Sequence, residues 1–413
     1  MVGQVQPDQL MSFLLKRLGD RLGLRSNELA LVGAILAIIL VTLLADDNRS
    51  YWFDAQTNAW EIARQWSLLG MFALGSMMVI ISGGIDLSAG SMIAFSGTTI
   101  ACTMIAVRSL PWGLSEPAIL ATGIASGLSM GFLVGTLHAW LITAIGLPPF
   151  IATLSTLVGL RSVARIMGEY VTTTFAGARK AQIPIEGPFF DWLRSHIWVW
   201  IVVFLALAAV TWFILARTVL GRHLYALGGN EQAARLSGIR TDKLKWFAYV
   251  FGAMTASLAG LFYIANEGVS APVNQGRGHE LNAIAAAVVG GCSLQGGIGT
   301  VPGTMLGALF LRIVIDSVAK IIDSNADIWE GLIVGVVVVL AVTFSQLQQW
   351  RQMDRKLFSG MIGWWAIVGL SLLAFLVAVS TGTSLNASRA IGIVGFCLLA
   401  AYRYWESRPR SPT

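Results

Sequence analysis

Charge is what this chain has least of. Only 12% of its 413 residues are Asp, Glu, Lys or Arg, against about 25% in an ordinary soluble domain. With 55% hydrophobic residues, it cannot cover a water-facing surface, and the composition places it in a bilayer. A spanning helix takes roughly 20 apolar residues, so the length is absorbed by about a dozen spans and leaves no room for a large soluble catalytic domain. The three cysteines, Cys102, Cys292 and Cys397, lie far apart without a CxxC partner and read as packing residues. The four histidines, His138, His196, His223 and His279, form no HExxH pair, which argues against a metal enzyme. The sequence contains no Gly-Lys dipeptide and hence no phosphate-binding loop of the GxxxxGK[ST] type. Energy from ATP would have to come from a partner.

What is abundant fits a membrane bundle. Small residues let membrane helices pack closely and tryptophan collects at the headgroup level; the chain has 44 glycines and 15 tryptophans. The polar lead, with Lys16, Arg17, Arg21 and Arg25 against Asp8, Asp20 and Glu28, is too long for a signal peptide, so the first span is expected to be retained. Apolar runs predict spans over 29–45, 66–82, 88–107, 118–145, 149–167, 197–216, 245–265, 281–294, 299–318, 329–344, 361–380 and 388–403, an all-α polytopic membrane protein with about twelve transmembrane helices. Basic residues favour cytoplasmic connections. They collect before residue 29, in 217–245 (Arg217, Arg222, Arg235, Arg240, Lys243, Lys245), in 346–358 and after 402. Both termini are expected to be cytoplasmic, and this bias accounts for the net charge of +6.

Connections near 83–87, 146–148 and 295–298 carry no Lys or Arg and are rich in Gly and Pro. They read as breaks within the membrane, tolerated beside a cavity or inside protein. Two resemble each other: Gly83-Gly84-Ile85-Asp86-Leu87-Ser88-Ala89-Gly90-Ser91 and Gly296-Gly297-Ile298-Gly299-Thr300-Val301-Pro302-Gly303-Thr304. This internal repeat suits a transporter, in which paired broken helices mark the pathway near the midplane; it equally suits two glycine-rich packing turns. Asp86 is a costly charge at membrane depth and a candidate for solute contact, or else a cap of the helix that follows it. Thr153 and Thr156 share one face of the helix that opens at Pro149, either as pathway hydroxyls or as ordinary packing. Arg161 and Arg165 also share a face.

The stretch Gly221-Arg222-His223-Leu224-Tyr225-Ala226-Leu227-Gly228-Gly229-Asn230-Glu231-Gln232-Ala233-Ala234-Arg235-Leu236-Ser237-Gly238-Ile239 is hydrophilic. Asn230 suits an N-cap, Glu231 the first turn and Gly238 a C-terminal stop, which predicts a two-turn helix over 231–237. So short a helix needs a docking surface, on a partner or on its own protein.

Taken in order, GGIDLSAGS, LPPFIATLSTLVGLRS, GRHLYALGGNEQAARLSGI and ELNAIAAAVVGGCSLQGGIGTVPGTMLGAL resemble the motifs of ribose-type permeases, the bacterial inner-membrane subunits of ATP-binding-cassette importers for monosaccharides. The resemblance covers about 66–344. It implies a ten-helix permease core over 29–344, preceded by a cytoplasmic segment 1–28 and containing a cytoplasmic coupling loop at 217–244. It implies as partners separate ATPase subunits, a periplasmic sugar-binding protein and a second permease copy or paralogue, with ATP bound by the ATPases and no cofactor or catalytic residue in this chain. In that scheme Gly229, Asn230, Glu231, Ala233, Ala234, Arg235, Ser237 and Gly238 form the helix that docks on the ATPase. Asp86, Ser88, Ser91, Phe150, Thr153, Thr156, Asn282, Ser293 and Gln295 line the sugar pathway, and Gly83, Gly84, Gly90, Gly296, Gly297 and Gly303 shape the breaks.

Related permeases for branched-chain amino acids resemble GGINxAHG at the first motif, so Asp86 and Ser88 favour the sugar branch; nucleoside permeases remain an alternative. An ion-coupled secondary transporter would place several ionisable groups deep in its spans, where Asp86 stands nearly alone. A ribose-type permease ends soon after 344. Here a basic linker over 345–360, an added hairpin over 361–403 and a tail over 404–413 follow, and the hairpin reads as a lipid-facing appendage.

Overall fold

The structure, a computed structural model, describes residues 26–46, 50–111, 113–180, 182–321, 360–380 and 384–407, with isolated positions between 329 and 358. Most of the segment 1–28, the expected span at 329–344, the basic linker and the end of the tail lie outside the described residues. The chain divides into two compact units, residues 1–342 and 343–413.

In the first unit the helices are α1 Ser26–Ala45, α2 Ser50–Phe53, α3 Ala55–Ile81, α4 Ala89–Arg108, α5 Glu116–Thr143, α6 Pro149–Ala176, α7 Pro188–Ser195, α8 Ile197–Arg217, α9 Val219–Gly229, α10 Glu231–Leu236, α11 Thr241–Glu267, α12 His279–Val289 and α13 Val301–Ile321. Two short strands, β1 Ile183–Pro184 and β2 Val269–Ser270, pair antiparallel with Ile183 opposite Ser270. Among the described residues the protein is all-α apart from that clasp. Among the described residues nine helices are long and apolar enough to cross a membrane. The expected span at 281–294 is the eleven-residue α12 instead; it rises about 16 Å, half the hydrocarbon thickness. Helix α13 has 21 residues and length enough, but carries Arg312, Asp316 and Lys320.

Helices α3, α4 and α11 form the buried centre, and α1, α5, α6 and α8 surround them. Close approach at the centre depends on small residues, the usual device where lipid offers no hydrophobic drive between helices. On α5, Gly123, Gly127, Gly131 and Gly135 repeat every fourth position and are all buried. A methyl group on Gly131 would lie 3.0 Å from Ala253 O on α11, and Ser257 Oγ donates to Gly127 O at 2.6 Å. Outward-facing Leu40, Leu133, Val158 and Phe213 are more than half exposed, as lipid contact requires.

One end of α13 is tied to α2 and the start of α3 by polar groups. Tyr51 Oη donates to Asp316 Oδ2 at 2.6 Å, Lys320 Nζ lies 3.3 Å from the same oxygen, and Lys320 donates to Asn58 Oδ1 at 2.9 Å. Burial, then the hydrogen bond and negative charge of Asp316, push the Tyr51 phenol well above its ordinary value. At the other end Thr300 Oγ1 donates to Glu28 Oε1 of α1 at 2.8 Å.

The second unit contains α14 Gly360–Ser380 and α15 Leu385–Ser407, so the last helix runs past the expected boundary at 403. Trp364 stacks on Phe396, and Arg403 sits 4.8 Å over the Trp364 ring while donating to Phe358 O at 2.6 Å. Among its described residues Leu370, Leu372, Ile393, Val394 and Leu398 are exposed.

Candidate functional site

The repeat-related breaks meet in space. Helix α3 has 27 residues and rises about 40 Å, more than a hydrocarbon core, before the first break begins. That break follows Ile81 directly, lies beside Gly228 of the hydrophilic loop and continues over 85–88 into α4. The second break, between α12 and α13, reaches the same level: Gly297 N donates to Ile81 O at 3.0 Å. The conformations there are ones that glycine alone adopts freely, with φ of 82° at Gly83, 91° at Gly296 and 71° at Gly297.

Five of the expected pathway residues converge where the first break re-enters the bundle. Asp86 Oδ1 accepts from Ser88 N at 2.7 Å and from Ser88 Oγ at 2.6 Å, so the carboxylate holds the turn into α4. Thr153 Oγ1 accepts from Leu87 N at 3.2 Å, and Ser91 Oγ donates to Ser88 O at 2.8 Å. Thr156 Oγ1 lies 2.7 Å from His138 Nε2 and donates to Thr153 O at 2.9 Å. The histidine therefore donates through Nε2, and its buried Nδ1 has no hydrogen-bond partner. Tyr249 closes the cluster, its ring 6.1 Å from that of His138 and its hydroxyl against Gly84.

Other expected pathway residues are elsewhere. Phe150 faces outward and is half exposed. Asn282 is on α12, and Ser293 and Gln295 lie in the second break, where Ser293 Oγ accepts from Gln295 N at 3.3 Å. Gly90 and Gly303, matched positions of the repeat, are both tightly packed: Gly90 against the Glu280 carboxylate and Gly276 O, and Gly303 against Gly290 O. Arg161 Nη1 donates to Pro272 O, Val273 O and Gln275 O at 3.2, 3.3 and 2.7 Å. Arg165 pairs with Glu169 at 3.0 Å.

The hydrophilic loop contains two helices, not one. Residues 219–229 form α9, capped by Thr218, whose Oγ1 accepts from Gly221 N at 3.2 Å. Asn230 then interrupts the helix and starts α10, with Oδ1 accepting from Ala233 N at 2.9 Å. Gly238, at φ 81°, ends it, and Ile239 N donates to Ala234 O at 3.1 Å. Ala234 is buried, whereas Gly229, Asn230, Ala233, Arg235, Ser237 and Gly238 are exposed. Lys245 of α11 pins the helix through Glu231 at 2.7 Å. Arg235 Nη2 lies 3.2 Å from Thr241 Oγ1 and 3.6 Å from Asp242.

Between this loop and both breaks lies a cavity of about 340 Å³, lined among others by Ser82, Pro149, Asn230, Lys245, Tyr249 and Gln295. That volume is in the range of small-molecule sites. Three residues important to this geometry were not singled out by the sequence. His138 looked like one more scattered histidine, and its only clue is a polar ring deep in an apolar run. Lys245 read as a topology marker. Leu236, 90% exposed at the end of α10, was an apolar letter in a hydrophilic stretch and could have been noticed.

Residues 58–342 match the family described as the permease component of a branched-chain amino acid transport system. The ribose import permease protein of Escherichia coli (strain K12) is 32% identical over 333 residues, covering 78% of this chain and 94% of that protein. The ribose import permease protein of Haemophilus influenzae is 34% identical over 318 residues, 76% of this chain and 92% of the relative. An autoinducer 2 import system permease protein of Salmonella paratyphi B is 33% identical over 314 residues, 76% and 84% respectively. No solved structure matches.

Proposed function

The chain belongs to this family of import permeases, and from that premise we propose that it is the membrane-spanning subunit of an ATP-binding-cassette importer that carries a monosaccharide of the ribose, xylose or galactose kind across a bacterial inner membrane. The relatives named for ribose support the sugar; branched-chain amino acids and nucleosides are the less favoured cargoes. The observation that carries the reading is α10. It is too short to persist alone, yet it is capped at both ends, pinned by Lys245 and presented at the bundle end with Leu236 almost wholly exposed. A free-standing, preorganised helix of this kind fits a groove on a separate ATPase subunit.

On this reading the ATPases, a periplasmic sugar-binding protein and a second permease copy complete the importer, and the chain itself hydrolyses nothing. Both termini lie in the cytoplasm with α10. ATP binding moves α10 as a rigid body and reverses which side of the bundle is open. The sugar passes the buried hydroxyls of Ser88, Ser91, Thr153 and Thr156 only after their present hydrogen bonds to backbone open. Asp86 and His138 hold that region shut, and the cavity beside α10 is the last polar chamber before release.

The test is to tag the chain, purify it in mild detergent from its native membrane and identify what accompanies it by mass spectrometry. A stoichiometric subunit with phosphate-binding loops, followed by ATP-dependent uptake of labelled ribose in proteoliposomes, is the expected result. A chain that came out alone and carried solute without ATP would overturn the proposal in favour of a secondary transporter.

A further inference from the structure

The segment ahead of α10 does not end in solvent. It ends between the two breaks. Gly228, in the last turn of α9, packs on backbone of both breaks: a methyl group there would overlap Ile81 O and Gly297 N. A methyl group on Gly296 would lie 2.7 Å from Gly228 O and 2.9 Å from both Gly228 Cα and Gly83 Cα. On Gly297 it would lie 2.8 Å from Gly229 N. Two hydrogen bonds bind the same three segments, Gly297 N to Ile81 O at 3.0 Å and Tyr225 Oη to Gly299 O at 2.9 Å.

We infer that Gly228, Gly83, Gly296 and Gly297 are the positioning residues of the transport cycle: they form one backbone junction that makes α10 and both repeat-related breaks move as a single body. This rests on the reading of α10 as the ATPase contact. The physical reason is the absence of side chains at the joint. Rotamers can absorb a small displacement, whereas backbone packed on backbone at van der Waals distance cannot be compressed. A shift of one or two ångströms at α10, typical of such transitions, therefore arrives undiminished at Ile81 and Gly297. From Ile81 it passes to Asp86 and the bonded hydroxyls of the first break. From Gly297 it passes to Thr300 and thus to α13. The duplicated glycine motif then has a single explanation: each half of the repeat supplies one jaw, and the loop before α10 is held between them.

The junction is tested in the whole importer, with its ATPase subunits and binding protein, reconstituted with ribose as the probe. Gly228→Ala is expected to leave ATPase recovery and basal ATP hydrolysis in place while ribose carried per ATP falls at least tenfold. Gly33→Ala, whose added methyl meets nothing within 4 Å, is expected to stay within twofold of the unmodified chain. A Gly228→Ala importer with normal ribose carried per ATP overturns the inference. If that variant fails to assemble, the unmodified junction decides. Spin labels at the exposed positions Gln232 and Ile298, with Cys397 replaced by serine, are expected to keep their separation with and without ATP, while a pair at Gln232 and Ile145 changes. Divergence of the Gln232–Ile298 pair by more than about 2 Å on ATP binding overturns the junction alone. Absence of any ATPase subunit overturns the coupling reading beneath it.

Discussion

Leu236 offers the most direct quantitative check on the proposed docking helix. In the free chain it is 90% exposed, so truncating it removes almost no internal contact, and the stability of the bundle should shift by no more than about 0.5 kcal/mol. If α10 inserts into a groove on an ATPase subunit, the same side chain becomes buried on association. Full burial of a leucine contributes about 1.5–3 kcal/mol. Leu236→Ala retains only the β-carbon, so about 2 kcal/mol of docking energy is lost, an increase of about 30-fold in Kd. Leu236→Asp should cost more, because a charge would have to be desolvated in the groove. The assay is titration of the purified ATPase subunit against the chain in lipid nanodiscs, read by interferometry, with thermal melting of each variant alongside. Unchanged Kd for both variants would show that Leu236 does not enter the partner and would refute the docking geometry. A lowered melting temperature for the isolated chain would show that the exposure was misjudged.

Three further outcomes are expected. Asp86→Ala leaves the buried Ser88 amide and hydroxyl without their acceptor, at about 1–3 kcal/mol each. Its melting temperature and uptake should fall well below those of Asp54→Ala, whereas Asp86→Asn, which keeps an acceptor oxygen, should recover most of the loss; equal behaviour of Asp86→Ala and Asp54→Ala would make Asp86 an ordinary residue. Thr156→Val removes the acceptor 2.7 Å from His138 Nε2 and orphans a second nitrogen of a buried ring, again at about 1–3 kcal/mol, so its melting temperature should fall below that of Ser162→Ala at the exposed Ser162. At the other end of the bundle, Tyr51 donates to Asp316 and has its phenol pushed up by burial and that carboxylate. A raised folded value means that this contribution is complete below the unfolded tyrosine value of about 10 and is lost only as pH rises through the higher folded one. Tyr51→Phe should therefore lower the melting temperature equally at pH 6 and pH 8; a difference between those two readings would count against the assigned hydrogen bond.

Much of the architecture could be read from hydropathy because the bilayer allows so few solutions: backbone polar groups must be satisfied within a segment, so long apolar runs become helices. Most of the expected spans correspond to helices with displaced ends. Residues 281–294 misled because their apolar run has the composition of a span, while its helix ends at Val289. What composition does not record is that Gly290 and Gly291 stop the helix and a run of tight turns follows. The start of α3 was missed for the opposite reason, since Gln56, Asn58, Glu61 and Arg64 look like loop although they continue a helix beyond the hydrocarbon.

At the candidate site, local chemistry was legible and tertiary pairing was not. Asn230 and Gly238 act at the ends of α10 as their residue types dictate, because capping is decided within a few residues of chain. The pairings around Asp86 were half legible: its own partner Ser88 is two residues away, but His138 and Thr156 meet only through packing of α5 on α6. The repeat raised the question of where its two breaks lie without answering it, since a duplicated motif fixes symmetry and not depth. The contacts of Gly228 show where they meet. Ile81 O and Gly297 N both lie against Gly228, and the second break reaches that point by a tight turn in which Ser293 N donates to Ile298 O at 3.1 Å. Both halves of the repeat therefore arrive beside Gly228, where a side chain on any of the three strands of backbone would have kept them apart.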